Sequence, residues 1–236
     1  MLYLAILLCL LQPQQHPPIL PEATRMMKYY ENPDPQRGVK LLKELLKPEN
    51  LDHPMTSRED GHVLSVLCEQ LGYIAKGHPE IVREYEKLFA GTTPTGKYGI
   101  LRTLRIAGDD QTKKQLDTWL AGEKNEQTLK ALEETKRILT APKREMNRDR
   151  AVRTGKDLDM LWADFFATGE YAPISRILDT FESNVPPGVK SAARWSLESN
   201  LKEHPKLVKL IKEHLKERSE ANKAEVEKLL ENVTGT

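Results

Sequence analysis

Cysteine and aromatic residues are both scarce in this sequence. Among its 236 residues the chain has two cysteines, Cys9 and Cys68, and 6% aromatic side chains. Two cysteines, one of them in an apolar N-terminal segment, exclude a disulfide-stapled domain and a zinc site built from cysteines. Cys68 lies among apolar residues at helical spacing, so we expect a small buried side chain there without a nucleophilic role.

An excess of either charge is also absent. The chain has 36 lysines and arginines against 35 acidic residues, a formal net charge of +1. This balance argues against a protein that binds nucleic acid over its whole surface. The six histidines form no H-E-x-x-H motif and no pair four residues apart. The sequence therefore predicts neither a metal site nor a cofactor.

Long apolar runs are missing except at the N terminus, where Leu2–Leu11 are apolar without a break. Such a run is too short to cross a bilayer as a helix but suits the apolar part of a secretory signal. No lysine or arginine precedes it and no clear cleavage site follows it, so an uncleaved anchor and a cytosolic segment are the alternatives. We expect residues 1–18 to be a signal peptide or N-terminal anchor. The protein is then exported, to the periplasm or out of the cell.

Amphipathic helices account for most of the remaining chain. The clearest example lies within 157–181, and its first apolar face is formed by Leu158, Leu161, Trp162, Phe165 and Phe166. Gly169 offers the left-handed conformation that ends many helices, and apolar residues at the same spacing start again at Ile174. Two amphipathic helices joined by so short a loop predict an antiparallel hairpin.

Helix-capping residues recur along the chain. Asp34 precedes Pro35, and Asp109 and Asn125 each stand before an amphipathic segment. No convincing alternation of apolar and polar residues indicates a strand. The sequence predicts an all-α fold, an irregular array of antiparallel helical hairpins that is either a HEAT-like α-solenoid or a compact helical bundle.

One stretch without apolar periodicity divides these helices. Residues 141–156 show no helical spacing of apolar residues, which favours a basic loop or hinge. We therefore expect an N-terminal helical region at 19–140 and a C-terminal helical region at 157–236 that packs on the first.

The segment Gly91–Tyr98 matches a phosphate-binding loop up to its last position. It reads G-x-x-x-x-G-K, but Tyr98 stands where a Ser or Thr hydroxyl holds magnesium. The preceding residues predict a helix, whereas a phosphate-binding loop follows a strand. We expect a loop between helices, with its turn set by the glycines and Pro94, and no nucleotide binding.

The same 141–156 stretch contains the one interaction site that charge indicates. Its candidate residues are Lys143, Arg144, Arg148, Arg150, Arg153 and Lys156. They are opposed only by Glu145 and Asp149, which leaves 143–156 with a local charge of +4. A basic segment can bind phosphates or an acidic partner, although this one lacks an aromatic residue that would stack on bases. A solvated linker is the plainer interpretation, and we favour it.

Two carboxylates, Glu69 and Asp164, lie on or beside apolar helix faces. A buried carboxylate can serve as a general acid or base. A solvated helix face is the default for both, and no other pattern of residues indicates catalysis. We therefore predict no catalytic residue.

Two blocks of sequence in the C-terminal region can be compared with known proteins. Leu158–Phe181 contains LWADFFATG, and Ala192–His204 contains AARWSLESN. These blocks resemble the LWxxFFATG-like and AAxWSLxxN-like blocks of a family of uncharacterised bacterial helical proteins that are often exported. The motif positions are Trp162, Phe165, Phe166, Trp195, Asn200 and His204. The resemblance implies a helical fold and a bacterial origin. It brings no catalytic residue, and we interpret the motif positions as packing and hydrogen bonding between adjacent helices.

A helical array without recognisable chemistry favours a binding role. We expect an exported bacterial scaffold or binding module whose surface holds another protein. One alternative is an envelope enzyme with a helical fold, which requires a deep pocket lined by carboxylates or histidines. Another is a binder of anionic ligands or nucleic acid through 143–156. We expect membrane association only through an uncleaved N-terminal segment.

Overall fold

Helices form all the regular secondary structure that the computed structural model describes, over residues 20–52, 62–142, 146–182 and 185–234. In these ranges there are thirteen α-helices and three short 3-10 helices, and no strand. The α-helices are α1 (Leu20–Met26), α2 (Pro35–Leu45), α3 (Pro48–Leu51), α4 (His62–Ala75), α5 (Pro79–Lys87), α6 (Pro94–Ala107), α7 (Asp110–Gly122), α8 (Glu126–Thr140), α9 (Gly155–Thr168), α10 (Tyr171–Asp179), α11 (Pro187–Glu203), α12 (Pro205–His214) and α13 (Glu220–Thr234). The prediction of an all-α fold is confirmed. The predicted signal or anchor at 1–18 lies outside the described residues.

The helices group into two units. The first contains the described residues up to Met146 together with 166–168, and the second contains 147–165 and the described residues from Gly169 onward. In the N-terminal unit α2 packs on α4, α4 on α6 and α6 on α8. Between these alternate helices, α5 contacts α2, α4 and α6, and α7 packs on α8. Helices α2, α4 and α6 thus each pack on the helix two places further along the chain. An array of helical hairpins requires this packing of alternate helices.

Side-chain caps fix where the helices of this unit begin. The Asp34 carboxylate accepts a hydrogen bond from the Gln36 backbone N–H, and Pro35 takes the first helical position of α2. Asp109 and Thr112 form a reciprocal capping box at α7. Asn125 caps α8. These caps were predicted from the sequence, because a short polar side chain stood directly before an apolar helical pattern.

The start of α6 differs from the prediction. Thr93 caps the helix and Pro94 takes its first position, so Gly96 lies in the first helical turn rather than in a loop. A side chain at Gly96 would collide with Thr92, since a Cβ there would lie 2.1 Å from the Thr92 hydroxyl oxygen. The segment that matched a phosphate-binding loop thus follows helix α5 and opens another helix.

Helices α4 and α6 approach each other closely. A Cβ on Gly72 would lie 2.8 Å from both the Thr103 carbonyl oxygen and the Ile106 Cβ, so only glycine fits there. The Thr103 hydroxyl donates a 3.1 Å hydrogen bond to the Cys68 carbonyl across the same interface. Cys68 is fully buried, as its spacing predicts, and burial raises the pKa of its thiol to about 12.

The C-terminal unit begins with the capping box of α9. Thr154 and Asp157 cap each other's backbone N–H groups, which places the start of α9 at Gly155, before the predicted helical region at 157. Gly169 ends the helix in the left-handed conformation, with φ of 68°. Further along the chain, α11 packs on α12 and α13, and α10 contacts both α12 and α13. The core of this unit includes the buried side chains of Leu158, Trp162, Ile177, Leu197, Ile211 and Leu229.

Candidate interaction surfaces

Arg148, in the basic segment, is engaged in structural contacts. Arg148 makes two hydrogen bonds to the fully buried Asp164, Nε–Oδ2 at 2.8 Å and Nη2–Oδ1 at 2.5 Å. Its third nitrogen, Nη1, lies 2.5 Å from Glu170 Oε2. Burial works against the charge of Arg148, but the two carboxylates outweigh it and raise the pKa of the guanidinium. Arg148 therefore neutralises a buried charge within the C-terminal unit.

The other predicted positions of this segment divide into three groups. Lys143 and Arg144 lie outside the described residues. Arg150 accepts a 3.0 Å hydrogen bond from Arg176 at its carbonyl, and Lys156 lies in the first turn of α9; each takes part in a further interaction. The side chain of Arg153 is exposed and has no partner among the described residues. Among the described basic positions of 141–156, only Arg153 has a side chain without a partner.

A cleft of about 260 Å³ lies beside Arg153. It is lined by Ala151, Val152, Arg153, Arg176, Asp179, Thr180, Val185 and Pro186. Arg176 pairs with Asp179 at 2.9 Å, and Asp179 is also bound by Arg218. The charged side chains that line the cleft are therefore largely paired with carboxylates or arginines. No pair of carboxylates or histidines suited to catalysis lines it.

The aromatic motif positions hold helices of the C-terminal unit together. Trp162 donates from its indole nitrogen to the Ser196 hydroxyl at 3.1 Å, and Asn200 donates to the Ser196 carbonyl at 2.8 Å. Phe165 packs edge-on against Trp162, with ring centroids 6.0 Å apart. The two sequence blocks thus meet at Ser196, which supports the interpretation of these positions as packing and hydrogen bonding.

The remaining motif positions behave differently from one another. Phe166 is fully buried and belongs, with 167 and 168, to the N-terminal unit. Its ring lies near that of Tyr30 in the same unit, with centroids 6.5 Å apart. His204 is buried at the N-cap position of α12. Trp195 is 37% exposed and is one of two large apolar side chains that face solvent in the described residues, the other being Tyr98.

Tyr98 belongs to a polar surface that the sequence did not indicate. We call this surface the arginine face; it is formed by Glu69 of α4, Tyr98, Arg102 and Arg105 of α6, and Thr135 of α8. The three α6 residues follow one another at i, i+4 and i+7, which places them along one side of the helix. The neighbouring helices α4 and α8 supply one polar partner each.

Arg102 forms the centre of the arginine face. Its Nη2 lies 2.5 Å from Glu69 Oε1, and the two side chains are only 18% and 12% exposed. Its Nη1 donates to the Tyr98 hydroxyl at 3.2 Å, and the guanidinium carbon lies 5.9 Å from the centre of the Tyr98 ring. Tyr98 is thereby held in place while its ring remains 38% exposed. Glu69, which the sequence offered as a possible acid or base, is half of an ion pair.

Arg105 differs from Arg102 because no carboxylate among the described residues is paired with it. Its Nε donates to the Thr135 hydroxyl at 3.1 Å, which is the one hydrogen bond of the Arg105 side chain in those ranges. Burial lowers the pKa of Arg105, and the neighbouring positive charge of Arg102 lowers it further. An arginine stays charged under these conditions, so the arginine face holds a partly buried cation without an ion-pair partner.

The contacts that define the arginine face come from distant parts of the sequence. Glu69 lies 33 residues from Arg102, and Thr135 lies 30 residues from Arg105. The spacing of Tyr98, Arg102 and Arg105 was visible in the sequence, but which arginine finds a carboxylate depends on how α4 and α8 pack on α6. For this reason the sequence pointed to the basic segment instead.

Other kinds of site receive no support from the described residues. They contain no group of three or more His, Cys, Asp or Glu side chains placed to hold a metal ion. None of the described helices is long and apolar enough to cross a membrane.

Comparison of the chain with protein-family models, with curated proteins and with solved structures found no significant match in any of the three.

Proposed function

We propose that this protein is an exported bacterial protein-binding module and that the arginine face of its N-terminal unit holds the partner. The observation that carries the proposal is Arg105, a partly buried cation without an ion-pair partner in the described residues, beside the exposed ring of Tyr98. Arginine and tyrosine are, together with tryptophan, the residue types enriched at the centres of protein interfaces.

The cost of Arg105 to the fold supports this proposal. Taking a charge partly out of water without an ion-pair contact is unfavourable, and a folded protein usually pairs such a group. Arg102, one turn away, has such a pair in Glu69. A partner that brings an opposite charge to Arg105 would recover the lost solvation.

The helical packing around the arginine face suits a binding surface. Each of its residues sits on a helix rather than on a loop, and α6 is held between α4 and α8. A side chain on a packed helix loses little freedom when a partner binds, which favours affinity. The basic segment is less suited, since Arg148 already neutralises Asp164.

Affinity capture with matched variants tests the proposed function. The full chain, carrying a C-terminal tag, is expressed in its native host and captured at moderate salt beside the variants Tyr98→Ser and Trp195→Ser. Both variants remove an exposed aromatic ring of nearly equal exposure, 38% and 37%, one from each unit. We expect a discrete protein to be retained by the unchanged chain and by Trp195→Ser, and to be lost from Tyr98→Ser.

Three outcomes contradict the proposed function. In the first, no protein is retained above background by the unchanged chain. In the second, the same proteins are retained equally by all three forms, which shows that binding does not use the arginine face. A partner lost only from Trp195→Ser would place the interaction in the C-terminal unit and equally contradict the proposal.

Export is tested separately, because it rests on the apolar run Leu2–Leu11 alone. The tagged chain is followed by cell fractionation, and its intact mass is measured. We expect it outside the cytoplasm, with a mass reduced by loss of the N-terminal segment if that segment is a signal peptide. A full-length chain confined to the cytoplasm contradicts export.

A further inference from the structure

The hydrogen bonding of Arg105 leaves two nitrogens available to a ligand. Its Nε donates to the Thr135 hydroxyl, and that hydroxyl in turn donates to the Ala131 carbonyl at 2.7 Å. This chain of hydrogen bonds fixes the guanidinium by its Nε edge. The terminal nitrogens Nη1 and Nη2 have no partner in the described part of the chain, so the end of the guanidinium is free to receive a group with two acceptor oxygens.

The charges around Arg105 leave one positive charge uncompensated. Arg102 is matched by Glu69, and Arg137 of α8 is matched by Glu134 through two hydrogen bonds of 2.7 Å. These two pairs cancel, which leaves the charge of Arg105. A ligand with a single negative charge would therefore balance this surface, whereas a doubly charged phosphate would leave one negative charge in excess.

Tyr98 supplies an apolar contact at a fixed distance from Arg105. The two residues are seven positions apart on α6, which corresponds to about 10 Å along the helix axis. The Tyr98 hydroxyl accepts a hydrogen bond from Arg102, which holds the ring on the arginine face while the residue remains 38% exposed. In an extended chain of the polyproline II type, side chains three residues apart lie on one face and about 9 Å apart.

We propose that the arginine face binds an extended peptide segment of its partner, with one carboxylate held by Nη1 and Nη2 of Arg105 and an apolar side chain against the ring of Tyr98. The inference rests on the proposed function and names the chemistry of the partner. A carboxylate is planar with two acceptor oxygens and matches the end of a guanidinium. It comes either from an aspartate or glutamate side chain or from the C terminus of the partner.

Peptide titration of the full chain, followed by NMR, tests the inference directly. The readout is the Arg105 Nε–H signal, which the Thr135 hydrogen bond protects and which is assigned by its disappearance in Arg105→Gln. The probes are acetyl-Leu-Ala-Ala-Glu-amide, acetyl-Ala-Ala-Ala-Glu-amide, acetyl-Leu-Ala-Ala-Ala with a free C terminus, its neutral amide, and inorganic phosphate. Arg153→Gln is the matched control, since it removes an exposed arginine that likewise has no side-chain partner among the described residues.

We expect saturable shifts of the Arg105 signal with the carboxylate peptides and none with the neutral amide. Loss of the charge in Arg105→Gln should weaken binding by about tenfold or more, because hydrogen bonds to a charged group contribute that much. Arg153→Gln should leave the affinity unchanged. The leucine peptide should bind more tightly than its alanine counterpart, and Tyr98→Ser should remove that advantage. The affinities of the glutamate peptide and of the peptide with a free C terminus are then compared. The tighter of the two shows whether Arg105 prefers a side-chain or a C-terminal carboxylate.

Three results overturn the inference. The first is the absence of a saturable shift at Arg105 with any carboxylate peptide. The second is tighter binding of phosphate than of the peptides, and the third is an equal loss of affinity in Arg153→Gln. Failure here is distinguishable from failure of the proposed function. Capture of a partner that depends on Tyr98 but not on Arg105 would support the proposed function and contradict the inferred carboxylate contact. Peptide binding at Arg105 without any captured partner would support the carboxylate contact and contradict the proposed function.

Discussion

At the scale of single residues, the arginines of this protein fall into two kinds. Arg102 pairs with the mostly buried Glu69 and Arg148 with the fully buried Asp164, and their charges are part of the structure. Arg105 is held by one neutral hydroxyl and has no ion-pair partner in the described ranges. The first kind stabilises the fold because its removal strands a buried carboxylate, while the second kind contributes little to stability and is available for binding.

Replacement of Arg102 and Arg105 by methionine separates the two kinds. We expect Arg102→Met to lower the free energy of unfolding by about 3 kcal/mol, since Glu69, only 12% exposed, loses its arginine. Arg105→Met should change the free energy of unfolding by less than about 1 kcal/mol, because an uncompensated charge is removed and the stem is replaced by an apolar chain. Urea unfolding measures both, and losses of equal size would contradict the distinction.

The basic segment offers a second comparison of the same kind. Arg148→Ala should lower the free energy of unfolding by about 3 kcal/mol, since it deprives the fully buried Asp164 of its arginine. Arg153→Ala, at an exposed position in the same segment, should stay within about 0.5 kcal/mol of the unchanged protein. Thermal and urea unfolding of both variants check this. An unchanged free energy of unfolding in Arg148→Ala would mean that the pair of Arg148 and Asp164 does not stabilise the fold.

Arg148 and Arg153 also show where prediction from the sequence stops. Both lie in the same run of basic residues, and nothing in their neighbours along the chain separates them. Arg148 is distinguished by Asp164, which the fold places on the buried side of α9 although its spacing also allows an outward direction. The partner of a charge is a tertiary property, so the sequence marked the segment but not the role of each residue in it.

At the scale of the helices, the sequence predicted several helix starts and few contacts. Asp34, Asp109 and Asn125 cap the helices that follow them, because capping depends on residues within one turn. The predicted start of α6 was wrong because its glycines suggested a loop. Gly96 is instead helical, and it is glycine because a side chain there would collide with Thr92. Such close approach between segments has no signature in local spacing.

The crossing of α4 and α6 provides a prediction at this scale. Gly72→Ala should lower the free energy of unfolding by about 2 kcal/mol or more, because its Cβ would collide with the Thr103 carbonyl and Ile106. Gly122→Ala is the matched control, since no atom lies within 4 Å of a Cβ there, and it should be neutral or slightly stabilising. Denaturant unfolding of the two variants tests the packing, and a neutral Gly72→Ala would contradict it.

The contact between the start of α6 and the end of α7 predicts a dependence on pH. Lys97 Nζ lies 2.6 Å from Glu123 Oε2, and this hydrogen bond, with those from backbone N–H groups, lowers the pKa of Glu123 from its usual 4.5 to about 2. A carboxyl group whose pKa is lower in the folded state stabilises the fold above pH 4.5, and this contribution is lost as the pH falls from 4.5 to 2.

Comparison with Glu123→Gln isolates that contribution. The variant should unfold more easily than the unchanged protein at pH 7, and the difference should shrink as the pH falls toward 2, because the unchanged protein then carries a neutral side chain as well. Glu133→Gln, at an exposed position of α8, should show a much smaller difference at every pH. Urea unfolding between pH 2 and pH 7 measures this, and a difference that does not depend on pH would contradict the role of Lys97.

At the scale of the whole molecule, the fold class followed from the sequence and the candidate site did not. Apolar residues at helical spacing and the lack of alternating segments predicted an all-α chain, because the burial of one helix face is encoded locally. The arginine face depends on Glu69 and Thr135 reaching α6 from 33 and 30 residues away. The proposed role as a protein-binding module therefore rests on the tertiary packing of the N-terminal unit.

Site-specific photo-crosslinking in the native host tests that role most directly. Benzoylphenylalanine is placed at Tyr98 in one form of the full chain and at Trp195 in another, two positions of nearly equal exposure. We predict that irradiation joins the form with the label at Tyr98 to one discrete protein, that Arg105→Gln abolishes this product, and that the label at Trp195 does not produce it. The absence of any product from Tyr98, or the same products from both positions, would contradict a binding surface at the arginine face.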